Sequence, residues 1–256
     1  WGGSKKFYKK LLTAKQQEQV TKVFVSAFIE LTLSGKHEYK DILRYPPNSE
    51  FGLPDDIYVS RFSNSTFRSI ENFESVKKEN KNFQIWVNSQ DEPVSFSIEK
   101  EQLRGGVDTP NTVLKLKLED QVATTLQLAL PTLHVTAEDK QNLTVSIAID
   151  TSEEHEACRP YNLASDIKIE FLNEDDVVIN KKTKPKASIP PLLVSDYSEL
   201  ENEDVKFAPT EPTLQTVVFP IEFLSKVRQE DSLILNITFT PRHDVSVILD
   251  DIGVIH

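Results

Sequence analysis

From residue 67 onward, apolar side chains recur at every second position in short runs separated by polar turns. This period of two constrains the fold more than any other feature of the chain. The runs occupy 67–73, 83–87, 94–98, 113–118, 123–130, 143–149, 167–171, 177–179, 214–219, 233–239 and 245–254. About eleven short strands with little helix between them predict a mainly β chain, an antiparallel β-sandwich of the jelly-roll or Greek-key type. The last run, within 244–256, is rich in β-branched residues and carries the adjacent carboxylates Asp250 and Asp251. It is expected to close the sandwich by pairing with strands far back in sequence.

Alternation also assigns faces. Leu143, Val145, Ile147 and Ile149 oppose Thr144, Ser146 and Ala148, and Leu114, Leu116 and Leu118 oppose Lys115 and Lys117. Phe83, Ile85 and Val87 oppose Gln84, Trp86 and Asn88, which puts a tryptophan among amides on the face away from the core.

The first 44 residues have a different character. Thr13-Ala-Lys-Gln16 has the form of a capping box, in which a hydroxyl and a side-chain amide satisfy the first orphan N–H groups of a helix. Val20, Val23, Phe24, Ala27, Phe28 and Leu31 then follow at helical spacing, and Gly35 supplies a stop. That stripe must be covered by the rest of this chain or by a partner domain. Prolines at 46, 47 and 54 break the helix and mark a boundary. The expected organisation is a helical segment at 1–44 and a sandwich at 45–256, with a proline-rich, charged loop at 181–212.

Composition excludes several classes of function. A net charge of -11 opposes a phosphate backbone or an anionic bilayer, so neither a nucleic-acid nor a membrane-surface partner is expected. No apolar run approaches the roughly 20 residues that span a bilayer. Cys158 is the only cysteine, which rules out a disulfide within the chain and a cysteine-rich metal site. Sequons begin at Asn64, Asn142 and Asn236, and the last two fall within expected strands, where an oligosaccharide fits poorly.

Signatures of catalysis are missing. The seven glycines, at 2, 3, 35, 52, 105, 106 and 253, frame no Gly-x-Ser-x-Gly elbow, phosphate loop or dinucleotide fingerprint. The five histidines show no i, i+4 pairing of a zinc helix. His155 and Cys158 share a Glu-rich stretch and read as surface residues rather than ligands. His243, Asp244 and Ser246 lie too close on one strand to form a triad, since neighbouring side chains point to opposite faces.

Two non-catalytic sites are expected. Asp250 and Asp251, with Glu71 and Glu74 on or beside the first strand, offer hard oxygen ligands for a structural Ca²⁺ if the terminal strands pair. The plainer alternative is solvated acids at strand ends. Gln84, Trp86 and Asn88 form a candidate sugar surface, with an indole face to stack on a pyranose and amides to bond its hydroxyls. The plainer alternative there is a tryptophan packed beneath the long loop or against the helical segment.

The stretch Gln17-Glu-Gln-Val-Thr-Lys-Val-Phe-Val-Ser-Ala-Phe-Ile-Glu-Leu-Thr-Leu-Ser-Gly-Lys-His-Glu-Tyr39 resembles the last helix of bacterial α/β-hydrolase-fold enzymes of esterase or lipase type. The stretches at 57–67, 214–223 and 247–253 resemble the β-rich extension that some of those proteins carry. The last two are also similar to the closing strands of galactose-binding-like jelly-rolls in carbohydrate-binding modules. The resemblance implies a non-catalytic accessory module, carbohydrate-binding or core-bracing, behind an upstream hydrolase domain. It favours an extracellular or cell-surface bacterial setting. The family's serine elbow and catalytic histidine have no counterpart here, so any hydrolysis would belong to that upstream part. The alternative expectation is a structural or protein-interaction sandwich with no small ligand.

Overall fold

Strand pairing follows the alternation. The computed structural model describes residues 12–45, 51–54, 56, 58–74, 83–87, 95–103, 107–130, 141–150, 166–173, 175–182, 184–185, 193–194, 210–223 and 233–255. The strands are β1 (Arg68–Glu71), β2 (Phe83–Val87), β3 (Phe96–Leu103), β4 (Val107–Leu118), β5 (Thr124–Leu130) and β6 (Asn142–Asp150). After them come β7 (Ile167–Leu172), β8 (Leu193–Val194), β9 (Thr210–Glu211), β10 (Gln215–Pro220), β11 (Leu233–Phe239) and β12 (Val245–Ile255). A six-stranded sheet has the order β10-β6-β12-β4-β3, with β1 joined to β12, and a four-stranded sheet has the order β2-β5-β11-β7. All of these pairings are antiparallel. The chain is a mainly β, antiparallel sandwich with an N-terminal helical segment.

The closing strand takes the central place expected of it. Along one side β12 pairs with β6, and along the other first with β4 and then with β1. Its inward residues Val247, Leu249, Ile252 and Val254 meet Leu114, Leu116, Val145 and Ile147 of their own sheet and Leu126, Phe171, Leu235 and Phe239 of the other in one buried cluster. Burying each such side chain is worth about 1.5–3 kcal/mol. Gly253 lets β1 approach, because a Cβ there would lie 2.4 Å from the Phe67 ring and 2.6 Å from the Arg68 carbonyl oxygen.

Two sequence expectations need adjusting. The run at 177–179 is not a full strand; Val178 makes a single bridge to Leu172, and Asn180 makes another to Phe223. Asn180 takes the place of a strand beside β7. Its side-chain oxygen accepts from the Phe171 N–H at 2.7 Å, and its amide donates to the carbonyls of Ile169 and Lys181 at 3.3 and 3.1 Å. An edge that would otherwise offer free backbone groups is thereby covered. Within the expected loop at 181–212, β8 and β9 form a two-stranded ladder.

The helical segment folds as the capping box requires. Helix α1 (Ala14–Thr32) begins at Thr13, with both reciprocal capping bonds to Gln16 present. Gly35 adopts a positive φ of 65° past its end, and a 3₁₀ turn (His37–Tyr39) leads into α2 (Lys40–Arg44). A strap at 58–63 ties these helices to the sandwich. The Phe24 and Tyr58 rings lie 6.1 Å apart, the Ser60 hydroxyl donates to the Leu43 carbonyl, and the Arg44 guanidinium stands 5.3 Å from the Phe62 ring centre. The strap itself is bonded to β10. Ser60 N–H donates to the Gln215 side chain at 2.8 Å, Thr216 N–H to the Ser60 carbonyl at 2.9 Å, and Phe62 N–H to the Thr216 hydroxyl at 3.0 Å. The expected helical stripe is therefore covered in part from within the chain. Ala27 is buried, whereas Phe28 stays 57 % exposed beside Val25, Ile29 and Leu33.

The outer faces of the two sheets differ. On the six-stranded sheet Val113, Thr144, Ser146, Ala148, Thr216, Val218, Ile248 and Asp250 face away from the core yet are buried, whereas Ser97, Glu99 and Lys117, toward the β3 edge, are exposed. On the four-stranded sheet, Gln84, Ala129 and Lys168 are exposed, and Gln127, Glu170, Asn236 and Thr238 are half-buried. Among the described residues, the outer side of the four-stranded sheet is exposed or half-buried on each of its strands, whereas that of the six-stranded sheet is open only toward β3 and β4.

Candidate functional site

Register brings polar residues from all four strands of the open face into rows. Gln84 of β2 stands opposite Gln127 of β5, Gln127 opposite Asn236 of β11, and Asn236 opposite Glu170 of β7. The next row is Trp86, Thr125, Thr238 and Lys168. At the usual strand spacing each row runs about 14 Å across the sheet. These positions alternate with Leu126, Leu128, Ile169, Leu235 and Ile237, which fill the core, so the same pleat that builds the interior leaves Gln84 and Lys168 exposed, Gln127, Asn236, Glu170 and Thr238 half-buried and Thr125 buried.

The rows are cross-linked. The Gln127 amide donates to the Asn236 side-chain oxygen at 3.1 Å, the Thr125 and Thr238 hydroxyls are 2.9 Å apart, and Lys168 pairs with Glu170 at 2.7 Å. These bonds restrict the rotamers of the polar groups, and within the two rows the charges of Lys168 and Glu170 neutralise each other. The surface offers fixed amide and hydroxyl donors and acceptors beside a tryptophan position.

Of the expected sugar-binding residues, the structure places Gln84 on this face, exposed, and Trp86 at the register position opposite Thr125. Asn88 lies outside the described residues, as do His155 and Cys158. The residues that extend the surface, Gln127, Asn236, Glu170, Thr125, Thr238 and Lys168, are the polar members of alternating strands. Their parity was visible in the sequence, but recognising one row needed the register.

The acids expected to hold calcium are engaged separately. Glu71 accepts from the N–H groups of Asn72 and Phe73 at 3.0 and 2.7 Å, and Glu74 accepts from the Thr112 N–H at 2.8 Å. Asp250 and Asp251 share one guanidinium, with Arg61 Nη2 at 2.6 Å from the first and 2.8 Å from the second. Asn111 also donates to Asp250, at 3.0 Å. Among the described residues, no three His, Cys, Asp or Glu side chains are grouped to hold a metal ion. A cation at this pair would have to displace Arg61, a loop residue to which no sequence pattern pointed.

Burial pushes the Asp250 carboxyl above its usual range. Asn111 and Arg61 pull the other way, while the Asp251 charge adds to the upward push. For Arg61, burial opposes the charge, but hydrogen bonding to Asp251 and the charges of both aspartates outweigh it and hold its pKa up.

Comparison with known proteins gives architecture-level likenesses at low identity. No protein-family model matches the sequence, and no curated relative matches it. A family 11 carbohydrate-binding module from Clostridium thermocellum, in complex with a β-1,3-1,4-mixed-linked tetrasaccharide, aligns with a TM-score of 0.41 and 10% identity, over 75% of this chain and 97% of that chain. A carbohydrate-binding module described for specific mannan recognition, TmCBM27, aligns with a TM-score of 0.37 and 15% identity, over 74% and 97%. A portion of the α-L-arabinofuranosidase MgGH51, solved with arabinose bound, aligns with a TM-score of 0.44 and 5% identity, over 74% of this chain and 26% of that chain.

Proposed function

We propose that this chain is a non-catalytic carbohydrate-binding module and that the outer face of its four-stranded sheet is the binding surface. The observation that carries the reading is the row Gln84, Gln127, Asn236 and Glu170. It crosses all four strands beside the row Trp86, Thr125, Thr238 and Lys168, on the sheet's open outer face. Amides donate and accept at once, which matches sugar hydroxyls, and an indole stacks on the apolar face of a pyranose. The Lys168–Glu170 pair keeps the two rows neutral, and the overall charge of -11 opposes acidic polysaccharides, so the ligand class is a neutral glycan.

Trp86 and Trp1 are the two tryptophans, which makes indole fluorescence a direct test. Titration with neutral oligosaccharides is expected to shift the emission saturably, and Trp86→Phe is expected to abolish the shift. A shift that survives Trp86→Phe, or none with any neutral oligosaccharide, overturns the reading.

The resemblance of the stretch from Gln17 to Tyr39 to a terminal hydrolase helix supports a place behind a hydrolase-like core, where the module would hold substrate near the enzyme. A second reading, a protein-interaction module, is favoured by the exposed helical stripe of Val25, Phe28, Ile29 and Leu33. Concentration-dependent association that Phe28→Glu abolishes would support it.

A further inference from the structure

A second site lies in the other sheet. The pairing of β12 with β6 slips between Asp250, opposite Ser146, and Gly253, opposite Thr144. Asp251 sits in the resulting bulge with a φ of 41°, a left-handed conformation uncommon for an aspartate. The bulge opens a cavity of about 40 Å³ on the outer side of the sheet, roofed by the strap. Its walls are Arg61, Phe62, Ser63, Phe67, Thr144, Ser146, Thr216 and Asp251. By the usual need of about 10–15 Å³ per water it has room for about three waters, or for one small polar arm of a larger molecule.

Three hydroxyls inside define what could enter. Thr144 donates to the Gly253 carbonyl at 3.2 Å and keeps a free acceptor site. Thr216 accepts from the Phe62 N–H at 3.0 Å and keeps its proton to donate. Ser146 is 3% exposed and also lines the cavity. At the mouth, Asp251 and Arg61 are part-exposed and bonded to each other at 2.8 Å. With Asp250 they leave an excess of one negative charge, which opposes carboxylate and phosphate ligands. An ammonium group only donates and could not answer the Thr216 proton. A neutral hydroxyl both donates and accepts, and the Phe62 and Phe67 rings suit its attached C–H groups.

We propose that this bulge cavity binds the hydroxymethyl arm of a neutral polyhydroxy ligand, with Ser146, Thr144 and Thr216 meeting the arm and Asp251 and Arg61 the hydroxyls outside. The site is independent of the open face on the four-stranded sheet. The ligand could be the terminal residue of a glycan or a free polyol, and the probes separate the two sources.

The test is an amide chemical-shift titration of the full chain with methyl β-D-glucopyranoside and, separately, glucitol. Saturable shifts at Thr144, Ser146, Thr216 and Asp251 are expected. Ser146→Val is expected to weaken the apparent Kd by about tenfold, the usual effect of losing one hydrogen-bonding partner, while Lys182→Ala, at an exposed position outside both sites, leaves it unchanged. A response to the glycoside alone identifies a terminal sugar, and a response to glucitol identifies a polyol. Linear, unsaturated shifts, shifts confined to the four-stranded sheet, or shifts unchanged by Ser146→Val overturn the proposal. Should Ser146→Val fail to fold, the wild-type map decides by the same criteria.

Discussion

Gln127 on β5 donates its side-chain amide to the side-chain oxygen of Asn236 on β11 at 3.1 Å, in the middle of the open sheet face. A bond so placed does little for the core, since both residues are half-buried and their neighbours inward are already packed. Its evident effect is to hold two amides in fixed orientation in the row that also contains Gln84 and Glu170.

Gln127→Ala and Asn236→Ala are therefore expected to cost less than about 1.5 kcal/mol in folding stability, the usual net worth of one exchanged hydrogen bond. Urea denaturation checks this. A loss several times larger would show that the pair is a structural strut rather than a poised surface.

Asn180→Ala, in contrast, is expected to cost about 1–3 kcal/mol. Asn180 is buried, and its removal leaves the Phe171 N–H and the Ile169 carbonyl without the side chain that meets them. Hydrogen exchange at the Phe171 amide should accelerate alongside the drop in stability. Unchanged exchange would mean that another group caps the β7 edge.

Gly253→Ala is expected to destabilise by about 1–3 kcal/mol, in the range of overpacked cores. The added methyl would meet the Phe67 ring at 2.4 Å and the Arg68 carbonyl oxygen at 2.6 Å, and backbone cannot swing aside as a flexible side chain can. Thermal denaturation of the variant, with a milder effect in a Phe67→Ala background, measures both contributions.

The pH dependence of stability carries the mark of Asp250. Burial raises its folded pKa above the unfolded value, so between the two the folded state binds more protons than the unfolded one. Its contribution is then largest at low pH and is lost as pH rises through the folded pKa. The stability difference between wild type and Asp250→Asn should accordingly fall as pH increases from the ordinary aspartate range near 3.8 through the raised value, and level off above it. A difference that grows with pH over that window would mean that Arg61 outweighs burial.

The Arg61 clamp also makes the calcium expectation measurable. A rise in Tm with Ca²⁺ that is lost in Asp251→Asn would show the ion displacing Arg61 from the two carboxylates. Equal melting in Ca²⁺ and chelator would leave the acids to Arg61 and Asn111.

Much of the fold was legible because a half-buried strand writes its two faces into alternate residues. Leu143, Val145, Ile147 and Ile149 announced β6, and Thr13 with Gln16 announced the start of α1. The closing strand was recognisable from its β-branched run, and it stands at the centre of the six-stranded sheet. The site was only partly legible. Gln84 and Trp86 were identifiable from one strand, but their partners Gln127, Asn236 and Glu170 come from strands distant in sequence, and a row exists only once register is known. Arg61 was invisible for a different reason. It belongs to an irregular strap, where no periodicity marks which side chain turns inward, and its meaning depends on two aspartates far along the chain. The bulge at Asp251 was likewise hidden, since Asp250-Asp251-Ile252-Gly253 reads as one continuous strand until the pairing slips.

The most direct test of the binding face is calorimetric titration of the full chain with soluble mixed-linkage glucan, mannan and xylan, alongside Gln127→Ala, Asn236→Ala and Trp86→Ala. Saturable binding to at least one of these neutral glycans, weakened by about tenfold or more in each variant while Tm stays close to wild type, is the expected result. Absence of binding to all three glycans, or affinity indifferent to all three substitutions, would contradict it.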